Sequence, residues 1–240
     1  FTIPYQQDYT LVGTTDEAFS GDPATATIDA AEVDYLFGVL GEYFQRVPRV
    51  EDIVWQFSGV RALYSAAADT LQQLSREHQI VVEKDTPAVH LLGGKLTTHR
   101  QVAQEVLAQC HRFLPVRQRN APSPHVLVGC EFSGADYESY IKQCHARYHW
   151  LPAELLQHYL SHYGSCLATL LSDCHAVSDL GQHFGGGLYA SEVDYLCQYE
   201  WAETVDDIVW RRTKYGLRLI ASQQRQLERY LLNTLPTVAH

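Results

Sequence analysis

The sequence predicts an α+β chain in two parts. Antiparallel hairpins with two helices fill residues 1–114, a linker spans 115–134, and an all-helical domain fills 135–240. Three observations carry that prediction. Short alternating apolar runs bounded by turn residues occur before Gly93, and such signals nearly vanish after the linker. Helical periodicity dominates after residue 135. Between them, Pro115 to Pro124 is rich in proline and polar residues, as a linker is.

The elements follow in order. Phe1, Ile3 and Tyr5 alternate, Gln6-Gln7-Asp8 turns, and Tyr9 to Val12 returns, so residues 1–16 read as a hairpin. Asp29 with Glu32 fits a capping box for a helix over 30–47. Its apolar face is Val33, Leu36, Phe37, Leu40, Phe44 and Val47, with Pro48 as the stop. Gly38 and Gly41 inside it lower propensity and leave room for close packing. Asp52 to Arg61 reads as a strand running into a bend at Gly59. Taken alone, Arg61 is an ordinary surface arginine. Residues 64–75 are a polar loop or short helix. A second hairpin pairs 79–83 with 88–92 across a Lys84-Asp85 turn. Beyond the linker, helices are expected near 135–148, 152–163, 165–174, 190–202, 204–215 and 218–233, with Gly185-Gly186-Gly187 a turn between helices.

After the second hairpin comes Gly93-Gly94-Lys95-Leu96-Thr97-Thr98-His99-Arg100, leading into a helix over 97–113. Thr98 with Gln101 fits a second capping box. Two glycines let backbone approach a ligand, and a helix start offers free N–H groups with partial positive charge. Strand, glycine turn, lysine and helix therefore suit something anionic or electron-rich. The Walker phosphate loop is excluded, since position 89 is Val and position 96 is Leu. A plain glycine turn with a solvated lysine fits the same spacing.

Composition bounds the function. The chain has 240 residues, 46% of them hydrophobic, and a net charge of −10, which argues against a general nucleic-acid binder. No run approaches the ~20 apolar residues of a membrane helix, and no signal peptide opens the chain. The six cysteines include no Cys-x-x-Cys pair and read as free thiols in a reducing compartment. The chain starts at Phe1 and contains no Met, so a fragment or processed piece is expected. His145 with His149, and His158 with His162, are helix-face pairs without a third ligand at fixed spacing, so no metal site is expected. Cys144 beside His145 is a weak nucleophile signal. Trp210 to Lys214, with Arg218, is the most basic stretch, and Asp207 can pair with Arg211 on a helix. Glu-Val-Asp-Tyr-Leu at 32–36 and 192–196, and Asp-Ile-Val-Trp at 52–55 and 207–210, are chance echoes, because the gaps between them differ.

Several words together resemble the C-terminal half of FAD-dependent, aerobic, quinone-linked glycerol-3-phosphate dehydrogenases. They are Phe1 to Tyr5, Gly13 to Asp16, Gly21 to Pro23, Asp52 to Trp55, Ser58 to Arg61, Gly93 to Thr98, Val177 to Gly181 and Trp210 to Lys214, in family order. The resemblance implies oxidation of sn-glycerol 3-phosphate to dihydroxyacetone phosphate, with hydride passing to FAD and electrons to membrane quinone. It implies an amino-acid-oxidase-like fold. Residues 1 to about 90 would be substrate sheet, 90–113 the last strand and helix of the FAD domain, and the remainder a C-terminal helical domain. Arg61 would be the catalytic arginine facing the reacting oxygen. Arg76 and Lys95 would bind substrate, and Gly94, Leu96, Thr97 and Thr98 would approach the flavin. The implied setting is cytoplasmic, peripheral on the inner face of a bacterial membrane, with a homodimer as a further expectation.

Departures from the family pattern are Ala62 for Pro, His99 for Tyr, and Leu127-Val128-Gly129-Cys130 after the linker. No Gly-x-Gly-x-x-Gly follows a strand, so the dinucleotide-binding half and its general-base histidine are expected elsewhere, and this chain alone is expected inactive. Two alternatives stay open: a non-catalytic helical module for interaction or membrane docking, and a flavin oxidase relative acting on another small anion.

Overall fold

A computed structural model describes residues 1–6, 8–63, 76–115, 126–132 and 136–234. The loop or short helix expected at 64–75 lies outside the described residues, as does most of the expected linker. The chain divides into two units, Phe1–Asn120 and Ala121–His240.

In the first unit, β1 (Thr2–Tyr5) pairs antiparallel with β2 (Tyr9–Val12), with Thr2 opposite Val12. Helix α1 (Ala30–Tyr43) opens on the expected capping box. The Asp29 carboxylate accepts the Glu32 amide at 2.9 Å, and Glu32 accepts the Asp29 amide at 3.0 Å. The helix stops four residues before the expected 47, where Phe44 is already extended. Val47 precedes Pro48 and is disfavoured in helical geometry, so the chain leaves the helix early. Gly38 faces open space, so no close packing explains it.

The strand expected over 52–61 does not form. Val50–Asp52 is a single 3-10 turn, and 53–63 runs on without ladder pairing. Its apolar residues Val54, Phe57 and Val60 are exposed, and Trp55 stacks on Phe57 at 4.8 Å. A strand needs a neighbour for its N–H and C=O groups, and the described residues supply none there. The second hairpin forms as expected. β3 (Gln79–Val82) pairs antiparallel with β4 (Val89–Leu92), with Gln79 opposite Leu92. Helix α2 (His99–Cys110) follows a 3-10 turn at Leu96–Thr98. Among the described residues of this unit, only Leu40 and Val102 are buried hydrophobics.

The second unit has a core of its own. Helices α3 (Tyr137–Arg147), α4 (Ala153–Tyr163), α5 (Leu167–Leu170), α6 (Ala190–Tyr199) and α7 (Ala221–Thr234) surround Leu156, Tyr159, Leu160, Phe184, Leu196 and Leu227. It is not all-helical. β5 (His183–Gly185) and β6 (Leu188–Tyr189) form a small antiparallel hairpin where a plain interhelical turn was expected. Gly185, Gly186 and Gly187 take φ of 113°, 59° and 96°, a backbone path that three glycines permit and side chains resist. The helix expected at 165–174 shortens to α5, and the one expected at 190–202 ends at Tyr199. The one expected at 204–215 is a π-turn, Asp207–Arg212, because the Thr213 amide reaches back five residues to the Ile208 carbonyl at 3.0 Å.

Candidate functional site

The β3–β4 hairpin carries the site. The ladder ends at Gln79 opposite Leu92, and residues 76–78 and 93–95 continue outward from that pair. Arg76 and Lys95 thus flank the open end of the hairpin, each three residues beyond the last pair of the ladder. Each has a carboxylate partner. Lys95 Nζ donates to Glu77 Oε1 at 2.6 Å, and Arg76 Nη2 donates to Asp16 Oδ2 at 3.0 Å. The Lys95 ammonium holds the Glu77 carboxyl below the usual carboxylate range. Both pairs are solvent-exposed, so a ligand carrying more charge than a single carboxylate can displace either partner.

Arg61 and Arg76 line one open trough of ≈ 2090 Å³, with Asp16, Trp55, Phe57 and Val60. That is at least twice the volume of a usual small-molecule pocket, so the trough as it stands is a face and not a fitted cavity. Lys95 does not line it. The structure thus brings Arg61 and Arg76 to one trough, while Lys95 is paired with Glu77, the chain neighbour of Arg76.

The glycine turn is built as the sequence implies. Gly93 and Gly94 have φ of 66° and 97°. A Cβ on Gly94 would stand 2.9 Å from the His78 Cβ, so backbone packs on that histidine with no gap. Leu96 is 88% exposed. The Thr98 and His99 amides are taken by the Lys95 and Leu96 carbonyls, while those of Leu96 and Thr97 have no helical acceptor behind them. An exposed backbone edge with two donors and no Cβ on the glycine side suits a planar heteroaromatic edge or an anion.

The second capping box is absent. Thr98 Oγ1 donates to the Lys95 carbonyl at 3.0 Å, and the Gln101 amide donates to Glu105 Oε1 at 2.8 Å. Two competing local partners, one turn back and one turn on, take the groups that a box would use.

Local spacing concealed other polar clusters. Glu105 Oε2 lies 2.6 Å from His78 Nε2, and the His78 side chain is 12% exposed. In the second unit Glu192 is fully buried. Its carboxylate takes Tyr163 Oη at 2.6 Å and Tyr215 Oη at 3.1 Å, and meets His158 Nε2 at 2.8 Å. His162 bonds the His158 carbonyl at 2.9 Å, and burial pushes its pKa down. Neither histidine pair gathers a third metal-ligating group among the described residues. Asp207 and Arg211 pair at 3.0 Å as expected, while Arg212 Nε donates to the Glu200 carbonyl at 2.8 Å. All six cysteines are free. No helix among the described residues is long and apolar enough to cross a membrane.

Known proteins complete the picture. Residues 125–231 match the family model described as the C-terminal domain of alpha-glycerophosphate oxidase. The chain is 38% identical over 243 residues to a glycerol-3-phosphate dehydrogenase of Pseudomonas aeruginosa, covering 98% of this chain and 46% of that protein. It is 35% identical over 238 residues to the aerobic glycerol-3-phosphate dehydrogenase of Escherichia coli, covering 97% and 47%. It is 33% identical over 226 residues to a D-erythritol 1-phosphate dehydrogenase of Brucella abortus, covering 93% and 45%. The chain spans about half the length of the curated relatives it matches.

Proposed function

We propose that this chain, which corresponds in sequence to the C-terminal half of glycerol-3-phosphate dehydrogenases, is the substrate-holding half of a flavoprotein that oxidises sn-glycerol 3-phosphate to dihydroxyacetone phosphate. The observation that carries the reading is the hairpin end, where Arg76 and Lys95 follow the last pair on its two sides, each with an exposed carboxylate partner. Two cations with displaceable carboxylate partners suit a dianionic phosphate ester. In this reading Arg76 and Lys95 hold the phosphate, and Arg61 stabilises negative charge developing on the reacting oxygen. Gly94, Leu96, Thr97 and Thr98 present backbone to FAD held by the preceding half of the protein. When bound, that flavin accepts the hydride. Electrons then pass to quinone at a membrane surface that the protein meets peripherally.

The same reading gives the first unit an amino-acid-oxidase-like arrangement and makes residues 135–240 a supporting domain after a linker at 115–134. The trough of the first unit, with its exposed apolar walls, then faces the other half of the same protein. The Brucella abortus relative widens the substrate question to other phosphate esters of small polyols. The phosphate-holding part of the proposal is common to both substrates.

Kinetics of the full-length protein test the division of roles. Arg61→Ala should lower kcat more than it raises KM, and Lys95→Ala should chiefly raise KM. Equal effects on both constants from both variants would defeat this assignment.

A further inference from the structure

We propose that His78 is a positioning residue of this site, one that braces the turn carrying Lys95 against helix α2. Its geometry stands without the functional reading, and only its consequence for catalysis rests on that reading. His78 immediately precedes β3. The Gly94 backbone lies directly on it, since a Cβ there would come within 2.9 Å of the His78 Cβ. On its other side, Nε2 meets Glu105 Oε2 at 2.6 Å. Glu105 is fixed in turn, because its second oxygen accepts the Gln101 amide at 2.8 Å. His78 therefore touches the glycine turn through its Cβ and backbone and reaches the first turns of α2 through its ring.

The ring is engaged at one nitrogen and enclosed at the other. Nε2 faces the Glu105 carboxylate, and Nδ1 is buried with no hydrogen-bond partner among the described residues. A group so enclosed acts through its neighbours and not on a substrate. The turn it touches leads to one candidate cation, and its own segment carries the other. Lys95 directly follows Gly94, and Arg76 lies two residues before His78, on the same face of an extended chain. Loss of the brace frees both at once and leaves Arg61, far along the chain, untouched. The expected signature is weaker substrate holding with the chemical step preserved.

The test uses the full-length protein with His78→Ala, His78→Gln and Glu105→Gln. Two readouts are taken: hydrogen exchange of the amides of residues 93–98, and steady-state kinetics with glycerol 3-phosphate. For His78→Ala, exchange should rise and KM should increase ~tenfold with kcat within about twofold, the usual scale for losing a group that orients a ligand-binding residue. His78→Gln, whose amide can still donate to Glu105, should recover most of both. Glu105→Gln should move both in the direction of the alanine variant by a smaller amount, and decides the matter if His78→Ala fails to fold. Unchanged exchange, a loss confined to kcat, or equal damage from alanine and glutamine would overturn the proposal. If the wild-type protein fails to oxidise glycerol 3-phosphate, the functional reading falls, and the exchange data alone still decide whether His78 braces the turn.

Discussion

Glu192→Ala should cost the helical unit about 3 kcal/mol of stability. The estimate is built from the partners the carboxylate leaves behind. Tyr163 is buried and its hydroxyl donates to Glu192, so it becomes an unsatisfied buried donor, costing roughly 1–3 kcal/mol. Tyr215 loses its 3.1 Å bond but keeps a second acceptor, the Gly187 carbonyl at 3.3 Å, so its share is smaller. His158 is 21% exposed at its side chain and can turn to water. A cavity the size of the lost carboxylate and methylenes adds roughly 1 kcal/mol. Relief of burying a charge subtracts from the sum, which is why the estimate stays near the bottom of the usual range for a broken buried network. Calorimetry of the protein, following the transition of the helical unit, should show a midpoint lower by roughly 10 °C. Glu192→Gln keeps an acceptor for Tyr163 and should lose less than half as much. An alanine variant within about 2 °C of wild type would refute the reasoning, since that is the range of a harmless surface change.

Three further outcomes follow from the geometry. Glu77→Gln should lower KM for a phosphate ester, because Lys95 no longer has to leave a carboxylate at 2.6 Å. Since Lys95 depresses the Glu77 pKa, the wild-type pair persists above the usual carboxylate range and is lost as pH falls through the lowered folded value. The KM difference between wild type and variant should therefore shrink on acidification, as pH-dependent kinetics would read. Thiol labelling should modify exposed Cys130 first. Cys197, with its pKa pushed up to about 11 by burial, and the buried Cys144 and Cys174 should react far more slowly, which peptide mapping over time would reveal. Finally, residues 121–240 produced alone should melt cooperatively and residues 1–120 should not. The described hydrophobics of the first unit bury only Leu40 and Val102, whereas the second has a continuous core. A cooperative transition from the first unit alone would contradict this.

Local signals were legible where the partner is local. Asp29 and Glu32 are three residues apart and make the capping box their spacing promises. Both hairpins form where alternation and turn residues set them. The same five-residue word shows the boundary of that legibility. In 32–36, Glu32 caps its own helix. In 192–196, Glu192 stands at the equivalent helical position but is buried against His158 and Tyr163 of α4 and against Tyr215, from two other parts of the unit. Nothing within the word distinguishes the two. Asp-Ile-Val-Trp behaves likewise, the end of a 3-10 turn and a non-ladder stretch at 52–55 and part of a π-turn at 207–210. Thr98 and Gln101 have cap spacing but find nearer partners in the Lys95 carbonyl and Glu105. At the site, glycines and cations were readable as residue types. Their carboxylate partners and the His78–Glu105 pair were not, because those contacts cross 18 to 60 residues of chain.

The most direct measurement is anaerobic addition of sn-glycerol 3-phosphate to the flavin-loaded full-length protein while flavin absorbance is followed. Rapid bleaching of the oxidised flavin band is the predicted result. Bound flavin that stays oxidised in the presence of saturating glycerol 3-phosphate would contradict the account.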